Sequence, residues 1–303
     1  MRVLVTGASG LLGLNLASEA AKFHSVFGQV NRHLIRPKSF AVLHSDLLSP
    51  GAVESLLEET QPDWVVHCAA LANLDVCEAD PALADQLNSI LPGKLAACVA
   101  RGGARLVHVA TDAVFDGQRG DYSENDQPNP LSVYARTKLA GERAVAEANP
   151  DALIVRVNFY GWSLSAKRSL AEFFYYNLQA GTQIMGFTDI FFCPLLANDL
   201  ANILLTMLEK NLKGLFHVVC RQSTSKYDFG VSLARRFGLD ERLITPTSVA
   251  QAGLTANRSP RLTLRTDKLA QALAEPPPDL STGLEHFYTL YQQGYPQEIR
   301  NLG

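Results

Sequence analysis

The chain has 303 residues, with 27 Lys and Arg against 30 Asp and Glu and a formal net charge of -3. Hydrophobic residues make up 47% and charged residues 19%, proportions of an ordinary globular protein that exclude low complexity and general disorder. A nearly balanced charge excludes nucleic-acid binding through a strong basic field, and no apolar run reaches the roughly 18–20 residues of a membrane span.

Short β-branched runs alternate with longer helical patterns through the first half. Residues 3–5, 25–30, 41–43, 64–67, 105–109 and 153–157 read as strands, and 11–22, 50–60, 80–101 and 132–148 as helices. The strands lack internal polar alternation, so both of their faces are buried, which calls for an α/β fold with a doubly wound parallel sheet of Rossmann type. After residue 158 the rhythm changes to helical patterns near 167–180, 197–210, 226–237 and 280–292, broken by Pro276-Pro277-Pro278. The expected organisation is a dinucleotide-binding domain over 1–158, to which 190–219 returns through a strand at 214–219. A smaller, mostly helical substrate region follows, formed by 159–189 and 220–303.

The five cysteines, Cys68, Cys77, Cys98, Cys193 and Cys220, are an odd, widely spaced set without a metal-ligand pattern, as expected of buried thiols in a reducing compartment. The opening Met1-Arg2-Val3-Leu4-Val5 runs straight into a strand, so no cleavable signal is expected and the cytoplasm is the expected location. No metal and no membrane partner is expected.

Gly7, Gly10 and Gly13 lie in Thr6-Gly7-Ala8-Ser9-Gly10-Leu11-Leu12-Gly13, between the first strand and the first helix. In that position Gly7 turns the chain, Gly10 lets backbone approach a pyrophosphate, and Gly13 permits close helix–strand packing. Ser9, Leu11 and Leu12 complete the turn, whose N–H groups attract phosphate charge. The second strand ends in Asn31-Arg32 rather than in an acid. A carboxylate there would repel a 2′-phosphate, whereas Arg32 pairs with it, so NADPH is favoured over NADH. Asp46-Leu47 is expected against the adenine, and Cys68-Ala69-Ala70, at the end of the fourth strand, is small enough for close approach of the cofactor.

Tyr134 and Lys138 stand four residues apart, on one helix face. A nearby ammonium favours the phenolate and would bring the phenol toward neutral pH, and Lys138 could also hold ribose hydroxyls. Thr111 ends the fifth strand, at the edge where open α/β sheets bind ligands, and could hydrogen-bond a reacting carbonyl.

In this order, Thr-Gly-Ala-Ser-Gly-Leu-Leu-Gly, His67-Cys68-Ala69-Ala70, the run from Thr111 to Gly117 and the run from Pro128 through Tyr134 to Lys138 resemble the extended short-chain dehydrogenase/reductases. Within them the chain looks most like the dTDP-4-dehydrorhamnose reductase branch. The resemblance implies NAD(P)H-dependent reduction of a 4-keto sugar nucleotide, with Thr111, Tyr134 and Lys138 catalytic and the glycine turn holding the cofactor. It further implies that Asn88 supports the lysine through water, and it suggests a homodimer. The sequence departs from the branch where Ala113 replaces a tyrosine, where Ser259 follows Arg258 in place of proline, and where Arg265 stands at an acidic position. These changes leave the cofactor turn intact and bear on the substrate.

Asp112, Phe159, Trp162, Arg258 and Arg261 are the candidate substrate residues: the rings for stacking, the arginines for clamping a diphosphate. Two alternatives remain at this point. One is an epimerase or dehydratase that recycles bound NAD. The other is a non-catalytic dinucleotide-binding subunit resembling the β subunit of methionine adenosyltransferase. His67 and His108 are expected to be satisfied core histidines.

Overall fold

In the computed structural model, which describes residues 1–251 and 259–303, β1 (Arg2–Thr6), β2 (Ser25–Val30), β3 (Ala41–His44), β4 (Trp64–His67), β5 (Arg105–Thr111) and β6 (Leu153–Val157) all run parallel. Gly214–Val218 joins them beside β6 as the outer strand of a seven-stranded sheet. The order, β3-β2-β1-β4-β5-β6 and then the returning strand, reverses direction between β1 and β4. That reversal opens a crevice at the carboxyl ends of the strands.

Each strand divides its residues between two cores. Val3, Val5, Val66, Val107 and Val155 point into one, which includes Leu14 and Leu16 of α1 (Leu11–Ala20). Leu4, Val65, Leu106 and Ile154 point into the other, against α2 (Ala52–Thr60) and the helices that follow it. This strict alternation of sides, with both sides apolar, is why the sheet is wound on both faces.

The helix expected over 80–101 is broken. α3 (Leu74–Ala79) precedes it, α4 (Pro81–Asp85) starts on an Asp80 side-chain cap, and a π-turn at Gln86–Ile90 leads into α5 (Leu91–Gly102). Pro92 has no N–H to give the Asn88 carbonyl four residues back, so regular α-helix cannot pass through this point. The freed carbonyl faces α6 (Val133–Ala148) at Gly141, where any Cβ would collide with it.

Beyond β6 come α7 (Leu170–Gln179), α8 (Ala197–Glu209), α9 (Lys226–Phe237), α10 (Asp267–Leu273), α11 (Leu280–Gln292) and α12 (Tyr295–Arg300). α8 packs on α1, on one face of the sheet. The rest is less purely helical than the pattern implied. Ile184–Phe187 pairs with Ile244–Thr247, and Phe191–Phe192 lies between Thr224–Ser225 and Arg261–Leu262. Strands this short carry no readable period, and they are held by the rings packed around them. Tyr160, Phe229, Phe287 and Trp162 supply that packing. Among the described residues no helix is long and apolar enough to cross a membrane.

Candidate active site

The turn after β1 is built from backbone. Gly7 has φ +68, and a Cβ on it would lie 2.8 Å from Ala69. The Gly10 N–H donates to the Gly7 carbonyl at 2.9 Å, and a Cβ on Gly13 would collide with that same carbonyl. Gly10 caps α1 without any side-chain hydrogen bond. The first-turn N–H groups therefore meet no side-chain cap and form a cradle suited to phosphate. Leu11 reaches toward Gly161, Ser9 is half-buried, and Leu12 is buried in the core, leaving its backbone to the turn.

Gln29, which sequence reasoning passed over, holds this turn from β2. Its Oε1 accepts from the Gly7 N–H at 3.0 Å, its Nε2 donates to Ser45 O at 2.6 Å, and its carbonyl accepts from Ala8 at 2.9 Å. A polar side chain inside an otherwise apolar strand was the available signal.

Asn31 and Arg32 are exposed just past β2, and Asp46 is exposed with its carboxylate accepting from the Leu48 N–H at 3.1 Å. Leu47 is buried in the core beneath, so only its backbone is available to a cofactor. Cys68 and Ala69 are half-buried beside the turn and Ala70 is exposed. Burial pushes the Cys68 thiol up to about 12, against the pull of Lys138, so it is a neutral wall residue.

Thr111 ends β5 and caps the short turn Asp112–Val114, its hydroxyl accepting from the Ala113 N–H at 3.2 Å. Asp112 is buried and accepts from Asn158 at 2.6 Å, and burial pushes its carboxyl up to about 6 despite that bond. α6 starts on a Ser132 cap, and Glu78 of α3 accepts from the Val133 N–H at 2.8 Å. Tyr134 and Lys138 follow one turn apart.

Burial pushes the Tyr134 phenol up to about 12, outweighing a hydrogen bond with Thr111 that favours the phenolate; Asp112 and Cys77 push the same way as burial. The lowering of Tyr134 by an ammonium, expected from the spacing, is therefore reversed. Lys138 spends itself elsewhere, its Nζ donating to Val109 O at 2.6 Å, and burial pulls it down to about 8 against the opposing charge of Glu142.

Asn88 lies in the π-turn, fully buried. Its Oδ1 accepts from Leu71 N at 2.9 Å, and its Nδ2 donates to Leu71 O at 3.0 Å and to Thr137 Oγ1 at 3.3 Å. It ties the loop after β4 to α6.

Of the substrate candidates, Phe159 is half-buried in a two-residue strand paired with Leu195–Leu196. Trp162 is 1% exposed and stacked on Phe287 at 4.1 Å, which makes it a core residue and removes it as a stacking platform. Arg261 is exposed, its N–H donating to Gly117 O at 3.0 Å and its guanidinium 5.9 Å from the Phe191 ring. Arg258 lies outside the described residues. Size alone would mislead here: a hollow of about 750 Å³ opens between Asp63, Arg105 and Asn211, at the opposite ends of the strands.

The model of the family described as "RmlD substrate binding domain" matches residues 1–293. A probable low-salt glycan biosynthesis reductase of Haloferax volcanii is 34% identical over 290 residues, covering 94% of this chain and 96% of the relative. Methionine adenosyltransferase 2 subunit beta of Rattus norvegicus is 35% identical over 260 residues, covering 81% of this chain and 75% of the relative. Among solved structures, a dTDP-4-dehydrorhamnose reductase of Clostridium acetobutylicum superposes with TM-score 0.81 at 28% identity, covering 96% of this chain and 100% of that one. The corresponding enzyme of Bacillus anthracis, in complex with NADP, gives 0.82 at 25% identity, covering 95% and 98%.

Proposed function

Since the chain belongs to the RmlD substrate binding domain family, and is an NAD(P)-dependent oxidoreductase of the short-chain dehydrogenase/reductase type, we propose that it reduces the keto group of a 4-keto sugar nucleotide, with NADPH preferred. The observation that carries this reading is the meeting of Tyr134, in the first turn of α6, with Thr111 at the carboxyl end of β5, where an open α/β sheet binds its ligand. A phenol held near 12 keeps its proton at neutral pH, as a group that must donate to a forming alkoxide requires.

The residues around the crevice divide the work. Gly7, Gly10 and Gly13 and the uncapped start of α1 would hold the pyrophosphate. Arg32, with Asn31 and no acid beside it, would pair with a 2′-phosphate. The cofactor, when bound, supplies the hydride. Thr111 orients the substrate carbonyl, and Tyr134 gives its proton to the carbonyl oxygen as the sugar C4 is reduced. Lys138, charged below about 8, would hold the cofactor ribose. The lobe of 159–189 and 220–303 would hold the sugar nucleotide, with Phe159, Asp112 and Arg261 facing it.

Tyr134→Phe tests this directly. Turnover with NADPH and dTDP-4-keto sugars falls by about 10²-fold or more, while NADPH affinity, followed by nicotinamide fluorescence, stays within about twofold. Unchanged turnover in that variant would sink the assignment. The subunit beta relative supports a second reading, a dinucleotide-binding partner of another enzyme. Tight NADPH binding with no oxidation against any sugar nucleotide, plus a larger protein co-purifying, would favour it.

A further inference from the structure

Buried polar groups near the crevice are satisfied very unevenly. His67 and His108, expected to be satisfied core histidines, leave His67 Nε2 and both His108 nitrogens without a partner. Thr111, 6% exposed, is instead filled to capacity. A hydroxyl has one proton to give and two lone pairs with which to accept. One lone pair of Thr111 takes the Ala113 N–H at 3.2 Å. Its other partners are Asp112 Oδ1 at 3.3 Å and the phenol of Tyr134. One proton and one lone pair remain for these two, so one of them must give to Thr111 and the other must take from it.

Which of them gives depends on Asp112. An ionised carboxylate only accepts. It then takes the Thr111 proton, Thr111 accepts from Tyr134, and both hydroxyl protons point away from the crevice. A protonated Asp112 reverses the chain. Asn158 Nδ2 donates to Oδ2 at 2.6 Å, so that oxygen is engaged as an acceptor and the proton sits on Oδ1, the oxygen beside Thr111. Asp112 then gives to Thr111. Thr111 is free to give its own proton to the phenol oxygen, or to the carbonyl oxygen once a keto sugar is bound. In either case the Tyr134 proton is left for the carbonyl, and donors aligned head to tail strengthen one another.

We propose that Asp112 is a positioning residue of the reduction: protonated, it turns the hydroxyls of Thr111 and Tyr134 toward the substrate carbonyl, and ionised, it turns them away. It acts through Thr111, with both of its own oxygens engaged, and no proton leaves it in the step. The proposal rests on the reductase reading for its role in turnover.

The surroundings let Asp112 hold a proton. It is 5% exposed, and burial pushes its carboxyl up to about 6 against the hydrogen bonds from Asn158, Thr111 and the backbone, which favour the carboxylate. The titratable groups that face it are Tyr134 from α6 and Cys193 from the segment after Phe191–Phe192. Burial pushes each of them up to about 12, so both are neutral and burial is left to set the charge of Asp112. The competent form is the protonated one, so reduction is lost as pH rises through about 6 in the free enzyme.

The test is the pH profile of kcat/KM for a dTDP-4-keto sugar at saturating NADPH. Wild type is expected to fall about tenfold as pH rises through about 6. Asp112→Asn sets an amide N–H₂ toward Thr111 and mimics the protonated acid. It is expected to lose that limb and to exceed wild type severalfold at neutral pH, while a limb at about 8 from Lys138 stays in place. A limb near 6 that persists in Asp112→Asn overturns the proposal, and so does an equal loss at every pH, which is a merely structural effect. Should Asp112→Asn fail to fold, Asn158→Leu removes a bond that favours the carboxylate and must move the midpoint upward; an unmoved midpoint overturns the proposal. Apart from turnover, ¹³C NMR of the NADP-loaded full chain, labelled at Asp Cγ and Tyr Cζ, is expected to show Asp112 and Tyr134 titrating with one midpoint. A wild-type enzyme that oxidises no NADPH defeats the reductase reading, whereas a Tyr134 signal that ignores the Asp112 titration defeats the coupling itself.

Discussion

The two ends of the chain build their share of the crevice by different means. In the first, from β1 to β6, the positions that matter are set by backbone: a left-handed glycine, strand ends in register, a π-turn opened by Pro92. In the second, beyond Asn158, two-residue strands from distant segments are held by stacked rings such as Trp162 on Phe287. A site made by backbone tolerates few residue types and is stiff; a site made by packed rings can change its walls while keeping its frame. The cofactor end of the molecule is accordingly the constrained one. The second end, with Phe159 half-buried and Arg261 exposed, is the adjustable one.

The contrast is sharpest at two neighbouring aromatics. Trp162→Ala is expected to cost about 3–5 kcal/mol in urea unfolding, since it empties a core site. Phe159→Ala, only half-buried, should instead raise KM for the sugar nucleotide with a smaller loss of stability. If Trp162→Ala unfolds like the wild type and alters only KM, the ring belongs to the site and the division between frame and wall is wrong.

The cofactor half can be challenged through Gly141. Gly141→Ala sets a Cβ against the Asn88 carbonyl, and is expected to cost about 1–3 kcal/mol by chemical denaturation. The same change at Gly51 or Gly103 meets no neighbouring atom, though both have positive φ. Those variants should lose only the smaller cost of a strained backbone, about 1 kcal/mol.

Protonation offers a third test. Burial holds His67 and His217 near 3, and His108 well below 6.5, so all three imidazoles stay uncharged in the folded chain. The unfolded chain takes up these protons near 6.5. The stabilisation is therefore present in full above that pH and is lost as pH falls toward 3, by up to about 1.4 kcal/mol per pH unit for each imidazole. Urea midpoints measured between pH 7.5 and 5 check the slope, and a flat profile would mean that these rings are paired or solvated. The smallest expected effect is at Arg32. Arg32→Ser should weaken NADPH binding about tenfold relative to NADH, the loss of one exposed charge-assisted contact worth roughly 1.4 kcal/mol.

Much of the frame was legible because it obeys simple periods. Residues 25–30 and 153–157 are strands and 226–237 and 280–292 are helices over those same residues, and the strand at 214–218 returned to the sheet. What escaped had no period or depended on contacts far along the chain. The π-turn is an effect of Pro92 on Asn88 together with the room at Gly141. Gln29 matters only because Gly7 and Ser45 converge on it. Trp162 looked like a ligand platform because sequence cannot say that Phe287, 125 residues on, covers it. The phenol of Tyr134 was read from its neighbour Lys138, while the structure lets burial decide.

The most direct test of the central claim is transfer of label. The enzyme is incubated with NADPH deuterated at nicotinamide C4, on each face in turn, and with a dTDP-4-keto sugar, and the product sugar is examined by NMR. The account predicts deuterium at sugar C4 from one face only, and about 10²-fold slower transfer in Tyr134→Phe. Cofactor bound by the glycine turn, with no deuterium in any sugar tested, would contradict it.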